Sequence, residues 1–165
     1  MSSYNLAQLN LARLVATLDS PVLVDFVANL DRINALADDA PGFIWRLQTE
    51  DGDATGVKHF GNDFIVNMSV WKDVQSLHNY VYRSSHIEVM RRRKEWFLKM
   101  QEAYMVLWWV PIGHVPTLEE AELKLENLRM HGPSAHAFTF KKFFAAPDSK
   151  YAMAPTSIDD ACPAT

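Results

Sequence analysis

The stretch Asp63–Trp71, DFIVNMSVW, constrains this chain more than any other. Read with a period of two, it puts Phe64, Val66, Met68 and Val70 on one face and Ile65, Asn67, Ser69 and Trp71 on the other. Bulky apolar groups on both faces belong to an inner strand of a sheet that is covered on two sides. Tyr104–Pro111, with Val106, Trp108 and Val110 alternating against Leu107 and Trp109, has the same character. The chain must therefore build a sheet and find two layers to cover it.

The remaining segments supply those layers. Tyr4–Leu11 reads as a first strand, and Ser20 before Pro21 is a helix start, a capping hydroxyl followed by a residue whose missing N–H costs nothing there. The helix runs to about Ala37, with Val24, Val27, Leu30 or Asp31, Asn34 and Ala37 at helical spacing, and Pro41-Gly42 stops it. Phe43–Thr49 is a second strand, Asp51-Gly52-Asp53 a turn, and Ala54–Phe60 a ragged return strand. After Asp63–Trp71 come helices over Val74–Tyr82 and Ser85–Met100, then the strand Tyr104–Pro111. Thr117 with Glu120 is a capping box for a further helix that ends at His131-Gly132-Pro133, and Ala137–Phe144 is a last strand. Strand, helix, strand, strand, helix, strand is the order of an α+β ferredoxin-like split βαβ fold, an antiparallel sheet with helices on one face. One domain over residues 1–147 and a mobile tail over 148–165 are expected. A second copy is the economical cover for the sheet's other face, so the expected assembly is a homodimer.

Composition narrows the partners. The 165 residues, 48% hydrophobic and 22% charged, suffice for an ordinary core. Sixteen Lys and Arg against twenty Asp and Glu give a formal charge of −4, which argues against a nucleic-acid binder. The run Arg91-Arg92-Arg93-Lys94 does not change this, because its members fan around a helix. Cys162 is the single cysteine, so neither a disulfide framework nor a cysteine metal site can be drawn, and a reducing cytoplasm is the default compartment. The N-terminal MSSYNLAQLNLARL is interrupted by Asn5, Gln8 and Asn10, unlike a signal peptide, and no segment approaches the roughly twenty apolar residues of a membrane span. The chain lacks H-E-x-x-H, a glycine-rich phosphate loop and G-x-S-x-G, so zinc-hydrolase, nucleotide and serine-hydrolase chemistry lack their parts, and no metal is expected.

What is left points to a small-molecule pocket. Asn10, Arg46, Asn67 and Ser69 form a polar row on strands that otherwise avoid such groups, and a buried arginine or amide must find a partner. For Arg46 that partner is a carboxylate such as Asp31 or Glu50, or a ligand. Steps of three and four put His86, Val89, Arg93, Trp96 and Met100 on one helix face. His78 and Tyr82, four and eight residues before His86, extend that wall if the two helices run on nearly continuously. His86 on such a face is a general base, a haem ligand, or a core imidazole bonded to a backbone carbonyl.

The runs QLNLARL, NLDRINALADDAPGFIWRLQTEDGDATG, NMSVWKDVQSLHNYVYRSSHIEVMRRRKEWF and LWWVPIGHVPTLEEAELKLENLRMHGPSAHAFTF resemble a bacterial family known mainly as a domain of unknown function, from about Asn5 to Phe140. In architecture that family is similar to the dimeric α/β-barrel superfamily, which includes antibiotic-biosynthesis monooxygenases and haem-degrading monooxygenases. The resemblance implies a dimer whose sheets face each other, with a pocket in each subunit between sheet and helices. Its motifs fall on Asn10, Trp45-Arg46, Asn67, Trp71, His86, Arg93 and Trp96. The Asn, Trp and His set of the haem-degrading relatives is loosely echoed by Asn67, Trp71 and His86. The expected activity is a monooxygenase-like oxidation, without a cofactor, of an aromatic or polyketide-like substrate. His86 would be the base, with Arg46, Asn67 and Arg93 on the anion. Asn10, Trp71, His78, Tyr82, Arg93 and Trp96 would bind the substrate. A haem protein with His86 on iron and a non-catalytic metabolite-binding module are the alternatives.

Overall fold

The computed structural model describes residues 1–151 and 155–156. Five strands form the main sheet: β1 (Tyr4–Leu14), β2 (Phe43–Arg46), β3 (Phe64–Trp71), β4 (Phe97–Leu98) and β5 (Met105–Pro111). All pair antiparallel, and the order β2-β3-β1 continues with both β5 and β4 on the far edge of β1. With β5 as its fourth strand this is the ferredoxin-like order. The helices are α1 (Val24–Asp38), α2 (Val74–Arg83), α3 (His86–Arg91), α4 (Arg93–Trp96) and α5 (Leu118–His131). Among the described residues no helix is long and apolar enough to cross a membrane.

The alternation of Phe64–Trp71 divides the core. Val66, Met68 and Val70 join Ala7, Leu9, Leu11, Val106, Trp108 and Val110 on one face, under Ala121, Leu125 and Leu128 of α5. Trp71 faces the other way, toward α2, in a cluster with Leu6, Leu77 and Leu107. A third cluster of Leu14, Leu23, Phe26 and Trp96 lies at the far end of β1. So α1 to α4 belong to one face, while the appended α5 covers the face for which a second copy was expected. Trp45, Leu47, Val57 and Phe60 complete that cover within the same chain.

Several boundaries differ from the sequence reading, each for a local reason. The helix expected over Ser85–Met100 is broken at Arg92, and Phe97–Leu98 is extended to pair with Arg13 and Leu14. That bend brings Phe97 edge-on to Phe26, with ring centroids 5.1 Å apart. Ala54–Phe60 is turn rather than strand, because Asp53 Oδ1 accepts from both Thr55 N and Thr55 Oγ1 (2.8 and 2.6 Å) and curls the chain. Strand β2 stops at Arg46, although Leu47 N still donates to Met68 O (2.8 Å). Ala137–Phe144 is not one strand, since turns at Ser134–Ala137 and Thr139–Lys142 reduce it to a bridge at Phe138 and β6 (Phe143–Phe144), which pairs with β7 (Pro155–Thr156). Helix α1 buries Phe26 and Ala37 and leaves Val24 and Val27 exposed, a face rotated from the one inferred. Of the tail expected to be mobile, Asp148 accepts hydrogen bonds from Ser2 Oγ and Ser3 N (3.0 and 2.6 Å), while 152–154 and 157–165 lie outside the described residues.

Candidate functional site

Between the α1–α4 layer and the sheet lies a cavity of about 220 Å³. Its floor comes from paired positions on the two central strands. The β1–β3 register sets Gln8 opposite Ser69 and Asn10 opposite Asn67, a square of four polar side chains in the middle of the sheet. Asn67 is exposed although it sits on an inner strand, so the cavity reaches down to the floor.

The floor is cross-linked. Gln8 Nε2 donates to Asn67 Oδ1 and to Ser69 Oγ (2.9 Å for the latter), and Trp71 Nε1 donates to the same Ser69 Oγ (2.8 Å). With its oxygen occupied by Gln8, Asn67 keeps its amide N–H groups as donors. Each of these groups would cost roughly 1–3 kcal/mol if buried without a partner. The network therefore holds the square in one arrangement in which its outer donors remain available.

Aromatic rings make the wall at the Trp71 end. Tyr80 of α2 stacks on Trp71 with centroids 5.1 Å apart, and His86 packs on Tyr80 at 5.0 Å. Tyr80 Oη donates to Ile33 O (3.1 Å); burial, and then the nearby Asp38 carboxylate, push its phenol well above the ordinary value. His86 Nδ1 faces Val81 O at 3.4 Å. A carbonyl only accepts, so this nitrogen carries the proton and Nε2 the lone pair. Burial pushes the His86 pKa down, against the smaller opposing effect of that carbonyl, and the ring is neutral at pH 7.

The two arginines of the cavity wall differ. Arg46 is committed: Nε and Nη2 donate to the Asp38 carboxylate (2.7 and 3.3 Å), and Nη1 donates to Gly52 O (2.7 Å). Its carboxylate partner is thus neither Asp31 nor Glu50, and it ties the loop carrying Asp53–Thr55, which also lines the cavity, to the end of α1. Arg93 donates through Nη1 to Tyr104 Oη (3.2 Å) and lies over the Tyr104 ring at 5.0 Å. Among the described residues no carboxylate lies within 4.0 Å of it.

Of the residues expected at the site, Asn10, Arg46, Asn67, Trp71, Tyr82, His86 and Arg93 line this cavity. His78 and Trp96 do not. His78, one turn before Tyr82 on α2, packs against Tyr82 and Phe140 and not into the cavity, and because the chain turns at Ser84 the α2 and α3 faces are not continuous. Trp96 is rotated into the third cluster by the break at Arg92 and packs on Phe26. The reading missed Gln8, Tyr80 and Tyr104. Alternation along Leu6-Ala7-Gln8-Leu9-Asn10 already puts Gln8 on the Asn10 face; nothing local marks the other two. Among the described residues no group of three or more His, Cys, Asp or Glu side chains could hold a metal ion.

Comparison with known proteins adds three findings. A search of curated proteins returns no match. Two solved structures align with this chain at a TM-score of 0.44 each: the NE2512 protein of unknown function from Nitrosomonas europaea (12% identity, 70% of this chain and 95% of that one) and SnoaB, a cofactor-independent oxygenase from Streptomyces nogalater (14% identity, 71% and 98%). Residues 5–154 match the profile of a family described as Domain of unknown function (DUF3291).

Proposed function

The chain belongs to the DUF3291 family, and we propose that its cavity is the site of a small-molecule oxidoreductase, in which His86 removes a proton from an aromatic substrate and the resulting anion reacts with dioxygen. One observation carries this reading: a histidine held neutral by burial, with its tautomer set by the Val81 carbonyl, stands in the wall of an aromatic cavity floored by amide donors. A neutral imidazole accepts a proton at Nε2, and an apolar aromatic wall favours a delocalised anion over a localised one. The Asn67 amide, oriented by Gln8, and Asn10 beside it are hydrogen-bond donors to the substrate on the floor of the cavity.

The resemblance to the monooxygenase superfamily extends proton abstraction to oxygenation. The balance needs no other reductant: an activated methylene and one molecule of dioxygen give a ketone and one molecule of water. The substrate carbon loses both its C–H bonds and is oxidised, one oxygen atom enters the new carbonyl, and the other is reduced and leaves as water with the two hydrogens. Tyr80 and His86 give the aromatic wall against the substrate ring, with Trp71 stacked behind Tyr80. Arg46 positions the loop instead of meeting the anion, because its guanidinium is already occupied. The cavity volume lies below the ~300–1,000 Å³ of pockets for drug-sized ligands, which favours one- or two-ring substrates over larger polyketides.

Haem does not fit these residues. Its two propionates would find one uncommitted guanidinium, Arg93, since Arg46 is bound to Asp38.

Oxygen uptake tests the reading. The purified protein is expected to consume oxygen with one- or two-ring phenolic substrates that carry an activated methylene, and His86→Ala to abolish uptake while still folding. No uptake with any such substrate, together with unchanged ligand affinity in His86→Ala, would overturn it.

A further inference from the structure

We infer that the substrate of this pocket is an aryl acid, with its ionisable ring at the His86 end and a carboxylate on Arg93. The inference rests on the reading of His86 given above and names the chemical class that reading leaves open.

The cavity has two unlike ends. At one, Trp71, Tyr80 and His86 pack ring on ring. At the other stand Arg93 and Tyr104, beside Met105, which pairs with Asn10 in the β1–β5 register. Along β3 the Trp71 and Asn67 positions are four residues apart, about 13 Å at the rise of a strand. His86 and Arg93 stand on either side of the break at Arg92. A compact phenol does not span the distance along β3.

Arg93 is exceptional among the arginines. Arg13, Arg32, Arg46, Arg92 and Arg129 each have a carboxylate partner, and Arg83 and Arg91 are exposed to water. Arg93 alone is half-buried with only a phenol and its ring as partners among the described residues. A guanidinium presents a planar fork that matches a carboxylate with two parallel hydrogen bonds. Tyr104 Oη accepts from Arg93, so its own proton is left to donate to the same carboxylate. A ring bearing an acidic hydroxyl, joined by a short chain to a carboxylate, satisfies both ends within about 220 Å³.

The experiment compares 3-(4-hydroxyphenyl)propanoate with its methyl ester, using tryptophan fluorescence and calorimetry on the full chain. The acid is expected to bind at least tenfold more tightly than the ester. Arg93→Met is expected to equalise the two, and Arg93→Lys to restore part of the preference; circular dichroism verifies that each variant folds. Equal binding of acid and ester, a preference that survives Arg93→Met, or no binding of either at millimolar concentration overturns the inference. His86→Gln separates it from the functional reading, because it should remove oxygen uptake and keep the preference for the acid. Preference for the acid in a wild type that takes up no oxygen with one- or two-ring aryl acids bearing an activated methylene would defeat the oxygenase reading alone. Uptake as fast with the ester as with the acid would defeat the aryl-acid inference alone.

Discussion

The two faces of the central sheet are built from the same three strands, yet they obey different rules. On the face under α5, Ala7, Leu9, Val66, Met68, Val70, Val106, Trp108 and Val110 are almost wholly buried, and the buried polar residue beside them, Asn5, sits at the end of β1 opposite Val110. On the other face, the residues interleaved with these include Gln8, Asn10, Asn67 and Ser69, and Asn67 is open to solvent. Period-two alternation lets one strand serve both purposes, since a neighbour in sequence is never a neighbour in space. The α5 face holds the fold together, and the opposite face can carry polar groups that stability alone would not select.

If that division is right, substitutions of similar size should separate by face. The largest loss is expected from Leu125→Ala in α5, where a 2% exposed side chain meets the apolar face. Truncation there should cost about 2–5 kcal/mol, read from the urea midpoint, and should leave ligand affinity unchanged for the fraction that stays folded. A cost below about 1 kcal/mol would mean that α5 does not seal the sheet. Next is Trp71→Phe, which keeps an aromatic ring against Tyr80 and removes the donor to Ser69. About 1–3 kcal/mol is expected, because both a buried hydrogen bond and ring volume are lost. Ligand affinity should fall with it, as the same indole is floor and wall.

Asn67→Leu sharpens the contrast further. Asn67 is exposed, and Gln8 retains Ser69 as a partner, so stability should change by less than about 1 kcal/mol in either direction. Ligand binding and oxygen uptake should nevertheless be lost. A large destabilisation, with affinity retained, would put Asn67 in the core and not in the site.

The difference between the faces was legible where it depended on a single strand. Alternation is a local property of the backbone, so Phe64–Trp71 could be divided correctly before any partner strand was known. It also put Asn67 and Trp71 together. Cross-strand facts were not legible: that Gln8 stands opposite Ser69, or that Arg46 meets Asp38, is set by register and by the return of α1 to the sheet. The helical wall failed for a similar reason. The spacing of His86, Val89, Arg93 and Trp96 assumes one continuous helix, and the interruption at Arg92 preserves the relation of His86 and Arg93 to the cavity while sending Trp96 to the third cluster. Tyr104 was invisible because its meaning comes from Arg93, on another element.

The smallest effect on stability at neutral pH, and the most specific to the polar face, belongs to His86. In the unfolded chain its imidazole titrates near the ordinary value of about 6.5; in the folded chain burial lowers the pKa. Below about pH 6.5 the unfolded state therefore binds a proton that the folded state does not, and stability falls until the pH reaches the lowered folded value. Above about pH 7 both states hold the ring neutral and the contribution is flat. Unfolding free energies measured between about pH 8 and pH 5 should show this loss on the acid side in the wild type, and His86→Gln should remove that part of the slope while leaving the parts due to other groups. Parallel curves for the two proteins would mean that folding leaves the pKa of this imidazole unshifted and the ring hydrated in the folded state. A hydrated imidazole keeps its lone pair at neutral pH but stands in water and not against the aromatic wall, so the polar face would be a binding surface without a sequestered base.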